Sequence, residues 1–268
     1  VEWAAAQPWS TGKVGMWGGS YDAWTQVMAL ATKPAGLAAL AITAPLLETY
    51  RGMYMHGVHY AGGWWGTPGL YAGIDLTPPA GGDSAPEQFT HSTTGTAGNP
   101  GCYQANLTET TNPDRATPYW QARNLVEAAV TSEVPVLWSH GFNDINTKPD
   151  NILDVFSRLR GPKRAWFGQY HHIEPSDERD SGRDDFVVEA MSWFDHYLRG
   201  LPALDLPNIE VQDGAGRWRS EAEWPPADAA TAAMPVLSGT YTDDGVANTV
   251  SSAGSYTFTP PAPYDLHL

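Results

Sequence analysis

Cysteine is almost missing from this chain. Cys102 stands alone, which excludes an internal disulfide framework and leaves no thiolate cluster for zinc or iron–sulfur. Basic residues are scarce too: 15 Lys and Arg face 30 Asp and Glu, the formal net charge is −15, and no basic run occurs. Nucleic-acid binding rests on clustered Lys and Arg, so this balance argues against a phosphate-backbone partner, while the charge itself singles out no substrate. Long apolar runs are absent as well. The stretch from Leu37 to Pro45 falls far short of the ~20 residues of a membrane-spanning helix. Neither a dinucleotide fingerprint nor a P-loop is present, so no cofactor is implied. Val1 is not an initiator methionine, and the opening residues lack the charged start, apolar middle and cleavage site of a signal peptide. The chain therefore reads as a piece of a longer protein, and any address would lie upstream. The Asn106-Leu107-Thr108 sequon adds nothing without knowledge of the host.

What is there alternates. Val1 to Ala6 reads as the end of a helix, and Lys13 to Trp17 as a short buried strand running into Gly18-Gly19-Ser20-Tyr21. From Asp22 the apolar residues Trp24, Val27, Met28 and Ala31 recur at helical spacing until Pro34. The unbroken apolar run Leu37 to Ala44 suits a strand buried on both faces of a parallel sheet. Leu46 to about Ser132 is rich in Gly, Pro, Thr and aromatics and reads as an insertion. Strand and helix then resume: Val134 to Ser139, Asn151 to Leu159, Arg164 to Gly168, and an amphipathic helix from Phe186 to Leu198 stopped by Gly200 and Pro202. Such alternation predicts an α/β fold with a parallel sheet. After Pro207 come short strand-like pieces, Ile209 to Val211, Arg217 to Arg219 and Ser255 to Phe258, as in an all-β unit. The expected boundary falls near Leu201, giving an α/β domain over 1–200 and a β unit over 201–268. That second piece is short for a free-standing β-sandwich of ~100 residues.

Gly18-Gly19-Ser20 on a strand-to-helix turn is the physical arrangement of a nucleophile elbow, in which small neighbours permit a strained turn that lifts the serine oxygen above the sheet edge. The G-x-S-x-G pattern is only partly met, since Asp22 stands where the second glycine belongs. A glycine-rich βα turn without chemistry would look the same. A serine hydroxyl becomes nucleophilic only when an imidazole takes its proton, and the imidazole needs a carboxylate to fix its tautomer. In α/β-hydrolases those partners follow in the order serine, acid, histidine, on loops after later strands. Asp144 follows the strand Val134 to Ser139, and His171-His172 follow Arg164 to Gly168. Taken singly, Asp144 is equally a turn-forming aspartate between Asn143 and Asn146, and either histidine could be a packed one. Order and placement together favour the triad. A metal reading on His56, His59 and the His171-His172 pair is disfavoured by spacing, because H-x-x-H lacks the i, i+4 geometry and the glutamate of H-E-x-x-H.

These residues carry a resemblance to the family of Xaa-Pro dipeptidyl-peptidases, cocaine-esterase-like hydrolases and α-amino-acid ester hydrolases, and it covers most of the chain. Gly18-Gly19-Ser20-Tyr21 resembles that family's G-x-S-Y segment, with Ala23 departing from it where a second glycine is common. His140-Gly141-Phe142-Asn143-Asp144-Ile145-Asn146-Thr147-Lys148-Pro149 is similar to the acid-bearing G-x-N-D-x-N-x-K-P stretch of the dipeptidyl-peptidase branch, the most specific of these signals. Gly168-Gln169-Tyr170-His171-His172 resembles the glycine-aromatic-x-His segment, which aligns His172 with the base and leaves His171 as the alternative.

The resemblance implies a partial α/β-hydrolase sheet with a mostly helical cap inserted at 46–132. It also implies the start of a C-terminal jelly roll, marked by Trp218, Trp224 and Pro225-Pro226. It further implies a Ser20, Asp144, His172 triad with the backbone N–H of Tyr21 as one oxyanion donor. The second donor would come from a tyrosine upstream of the elbow, in a segment outside this chain. No metal or cofactor follows from it, and the expected partner is a small peptide or ester substrate rather than a nucleic acid or a membrane. The cap aromatics Tyr60, Trp64, Trp65 and Tyr71 could line the pocket, although aromatics in a cap are more often plain core. With low Lys and abundant Trp, the resemblance leans toward an extracellular setting. Three functions are thereby set against one another: release of an Xaa-Pro dipeptide, an esterase or acylase on small acyl or amino-acid esters, and a silent carbohydrate- or protein-binding module. Oligomeric state is left open.

Overall fold

A computed structural model describes residues 1–55, 57–60, 90, 100–172, 174–175, 181, 183–229, 233–235, 239–243, 254–258 and 265–267. A short helix α1 (Glu2–Ala5) precedes β1 (Val14–Gly19), and only Ser20 separates that strand from α2 (Tyr21–Thr32). α2 stops where Lys33 turns left-handed (φ 52°) ahead of Pro34, which cannot continue a helix. β2 (Leu37–Thr43) follows. The described part of the inserted region holds α3 (Thr49–Met53), a small hairpin of β3 (Tyr54–Met55) and β4 (Val58–His59), then α4 (Pro100–Glu109), α5 (Pro118–Gln121) and α6 (Val126–Val130). Trp64, Trp65, Tyr71 and His56 lie outside the described residues. The chain returns to the sheet with β5 (Val136–Gly141), α7 (Asp150–Val155) and β6 (Lys163–Gly168), and then forms α8 (Phe186–Arg199), β7 (Ile209–Gln212) and β8 (Trp218–Glu221).

These strands form one six-stranded sheet in the order β1-β2-β5-β6-β7-β8. Every neighbouring pair is parallel except β7 with β8. Alternation of side chains across a strand explains how the apolar runs serve both faces. Leu40, Ile42, Val136, Trp138, Ala165 and Phe167 point to the face covered by α2, α6 and α7. Ala39, Ala41, Leu137 and Trp166 point to the other, where Phe186, Ala190 and Trp193 of α8 pack. Small alanines on β2 leave room for Trp193, whose indole N–H reaches the Leu40 carbonyl at 3.1 Å. Burying apolar side chains such as Leu40 and Phe167 contributes roughly 1.5–3 kcal/mol each, and both are 0% exposed.

The pieces Ile209 to Val211 and Arg217 to Arg219, read from sequence as parts of an all-β unit, instead extend the main sheet beyond β6. The first compact unit accordingly runs Val1–Pro225 and the second Pro226–Leu268. Within the second, β10 (Gly239–Asp243) pairs antiparallel with β11 (Gly254–Phe258), and β9 (Ala233–Pro235) pairs antiparallel with β12 (Asp265–His267).

Candidate active site

Parallel sheets gather ligands at the carboxyl ends of their strands, and the three chemistry-bearing positions sit there. Ser20 occupies the turn between β1 and α2 with φ 56° and ψ −117°, a positive-φ conformation that side-chain-bearing residues adopt at a cost of order 1–3 kcal/mol. Its amide donates to the Thr43 carbonyl at 3.0 Å, and its carbonyl accepts from Trp24 at 2.9 Å. Gly18 makes the turn feasible: a Cβ there would stand 2.5 Å from the Cβ of Asp22. With glycine at 18, the aspartate at 22 is tolerated where the usual pattern has glycine.

Asp144 and His172 reach Ser20 because two loops are drawn together. The backbone of Tyr170 and His171 passes so close to Gly141 that any Cβ at 141 would collide with both carbonyls. Phe142 N–H donates to the Gly168 carbonyl at 2.7 Å, and Asn143 N–H to the Tyr170 carbonyl at 3.2 Å. The resulting geometry is continuous. His172 Nδ1 lies 2.7 Å from Asp144 Oδ2, and its Nε2 lies 2.8 Å from Ser20 Oγ. A carboxylate only accepts, so Nδ1 carries the proton and the Nε2 lone pair faces the serine hydroxyl. His171, by contrast, is exposed, and its Nδ1 lies 3.0 Å from the Asn143 carbonyl.

Asp144 is 3% exposed and surrounded by donors. Its Oδ1 accepts from the amides of Asn146 (2.8 Å) and Thr147 (3.0 Å). Its Oδ2 lies 2.9 Å from Thr147 Oγ1, a hydroxyl that is also 3.0 Å from the Ala44 carbonyl and can donate to only one of them at a time. Burial alone would push this carboxyl up, but the hydrogen bond and charge of His172, the charge of His140 and the Asn146 amide outweigh it and hold it below the ordinary carboxylate range.

Sequence reasoning passed over His140. It is fully buried at the end of β5, with Nε2 2.7 Å from the Thr147 carbonyl and 3.6 Å from Asp144 Oδ2. Burial pushes this imidazole down from 6.5 to about 4, against the opposing pull of the Thr147 carbonyl and Asp144. The sign follows directly. Between those values the unfolded chain takes up a proton that the folded chain refuses, so stability falls as pH drops through the window, by about 3 kcal/mol at most. The Asp144 contribution survives that window and is lost only below it. Urea unfolding at pH 7 and pH 4.5 should show the wild-type protein losing more stability than His140→Gln; parallel losses would contradict the assignment.

Above the elbow, Leu46, Tyr50, Met53, Tyr54 and Trp120 form a buried cluster with Tyr21 and Tyr119 packed at its edge. Tyr50 stacks on Tyr54 at 4.9 Å, with Trp120 edge-on to both. Tyr60 lies beneath Lys148, whose ammonium is 3.8 Å from the ring centroid. Among the described residues no group of three or more His, Cys, Asp or Glu is gathered as metal ligands would be.

Comparison with known proteins agrees with this architecture. A Putative Xaa-Pro dipeptidyl-peptidase of Bacillus anthracis is 27% identical over 257 residues, covering 92% of this chain and 38% of that protein. An Xaa-Pro dipeptidyl-peptidase of Ligilactobacillus salivarius is 27% identical over 228 residues, covering 81% of this chain and 27% of that protein. The chain thus spans well under half the length of these relatives. Among solved structures, a CocE/NonD family hydrolase from Staphylococcus aureus superposes with a TM-score of 0.64 at 18% identity, over 90% of this chain and 42% of that one. An alpha-amino acid ester hydrolase superposes with a TM-score of 0.61 at 20% identity, over 86% and 42%. The fold is α/β-hydrolase-like with a mostly parallel sheet. The family model for X-Pro dipeptidyl-peptidase (S15 family) matches residues 1–174, the stretch that carries the elbow and both loops, and the chain belongs to that family.

Proposed function

We propose that the protein is a serine hydrolase that releases Xaa-Pro dipeptides, with Ser20 as nucleophile, His172 as general base and acid, and Asp144 as the group that orients the base. One observation carries the reading: the unbroken hydrogen-bonded line from Ser20 Oγ through both nitrogens of His172 to Asp144 Oδ2. His172 Nε2 takes the hydroxyl proton as Oγ forms a bond to the acyl carbon, and the carbonyl electrons move onto oxygen. The Tyr21 N–H, at the start of α2, donates to that oxyanion, assisted by the helix dipole. The imidazolium then protonates the leaving group as its bond to carbon breaks. Water repeats the cycle on the acyl-serine and regenerates Ser20.

The dipeptidyl specificity rests on the names of the curated relatives. We place the beginning of a jelly roll in the C-terminal strands, and read the inserted region as a cap over the site. The experiment is hydrolysis of Ala-Pro-p-nitroanilide by the full-length protein, beside its N-acetylated form and p-nitrophenyl butyrate, with Ser20→Ala as blank. Turnover of the free-amine anilide alone is the expected result. Ester turnover alone would move the protein to an esterase, and no Ser20-dependent turnover of any of the three would sink both substrate readings.

A further inference from the structure

His140 is buried beside the triad as proposed and takes no part in the proton transfers written above. We propose that His140 is a positioning residue for the triad acid: as a neutral Nε2–H donor to the Thr147 carbonyl, it closes the loop that aims Asp144 at His172. The inference rests on the reading of Asp144 as that acid.

Three observations carry it. A carbonyl only accepts, so the 2.7 Å contact with Thr147 O requires the proton on Nε2. Moving that proton to Nδ1 would give up this bond without replacement, because Nδ1 is buried and has no hydrogen-bond partner among the described residues. The bond also joins the two ends of the loop. Thr147, held by its carbonyl, turns its amide and hydroxyl back onto Asp144 at 3.0 and 2.9 Å. Removing the anchor frees the residue whose amide holds Oδ1 and whose hydroxyl lies against Oδ2.

Neutrality matters for a second reason. His140 Nε2 stands 3.6 Å from the same Oδ2 that binds His172. A cationic ring there would compete with His172 for the carboxylate, whereas a neutral one leaves the charge to the base. Burial keeps it neutral. Packing alone, shown by the Trp138 ring stacked 6.5 Å away, would not demand a donor at Nε2.

The test compares His140→Phe and His140→Gln in the full-length protein, with Ser20→Ala and Asp144→Asn beside them. His140→Phe should lower kcat about 10²-fold with KM little changed, as expected for a displaced catalytic group. His140→Gln, which can present an amide N–H near the same point, should recover most of that loss. In the Asp144→Asn background, His140→Phe should add little, because both act through one carboxylate. Wild-type kcat in His140→Phe, no recovery in His140→Gln, or an additive double variant would each overturn the role. Should His140→Phe fail to fold, nitrogen NMR of histidine-labelled wild-type protein decides. A neutral ring protonated on Nε2 at pH 7 supports the proposal, and a charged or Nδ1-protonated ring overturns it. Full turnover in Ser20→Ala would instead bring down the hydrolase reading on which the inference stands, a failure distinct from unchanged kcat in His140→Phe alone.

Discussion

Ser20→Ala should lower kcat by about 10⁴- to 10⁶-fold and abolish labelling by a serine-directed fluorophosphonate, because losing the nucleophile of such a triad leaves only binding and oxyanion stabilisation. The substitution removes a single oxygen that lies 2.8 Å from His172 Nε2. It leaves the backbone contacts of the elbow, Ser20 N–H to Thr43 O and Trp24 N–H to Ser20 O, in place. Unfolding behaviour should therefore change little. The measurement is steady-state turnover with far-ultraviolet circular dichroism on the same samples. A folded Ser20→Ala protein within tenfold of the wild type would place the nucleophile elsewhere.

The second large effect is expected from Asp144→Asn, a loss of about 10⁴-fold in kcat by analogy with the amide replacement of a triad aspartate in a well-studied protease. The chemistry is one of donors and acceptors. The asparagine carbonyl can still accept the amides of Asn146 and Thr147, which fixes the carbonyl at the Oδ1 position. Its NH₂ then faces His172 Nδ1, formerly 2.7 Å from a carboxylate oxygen. Two donors cannot face one another, so the imidazole moves its proton to Nε2 and presents N–H instead of a lone pair to Ser20. Geometry survives while the base is lost. Fluorophosphonate labelling of Ser20 should slow in parallel with kcat, whereas substrate binding should persist. Equal labelling rates in variant and wild type would show that Asp144 does not set the tautomer.

Much of this site was legible in the sequence because its signals are local. A glycine pair before Ser20, turn-prone residues around Asp144 and paired histidines after an apolar run all sit beside strands whose composition marks them. The strand Arg164 to Gly168 was expected, and β6 covers Lys163–Gly168. The choice between His171 and His172 was not local. Neighbours in a loop point in different directions, and which one meets Asp144 depends on the approach of Gly141 to Tyr170 and on the Asn143 carbonyl that takes His171. His140 was invisible for a similar reason. Nothing in its own sequence position says that its ring is fully buried against a loop that returns seven residues later. The strands after Pro207 were read as strands, but their membership of the main sheet depends on pairing with β6, a contact between residues far apart in the chain.

Short stretches of sequence were enough for the alternating strand and helix framework and for the carboxyl-end placement of Ser20, Asp144 and the histidine pair, because apolar period, glycine turns and the residues that follow each strand are local. Only packing of the whole chain brings His172 rather than His171 to both partners, sets Thr147 and His140 around Asp144, and joins β7 and β8 to the sheet. Those outcomes depend on distances between segments that the chain brings together only when the parallel strands pack and both of their faces are buried.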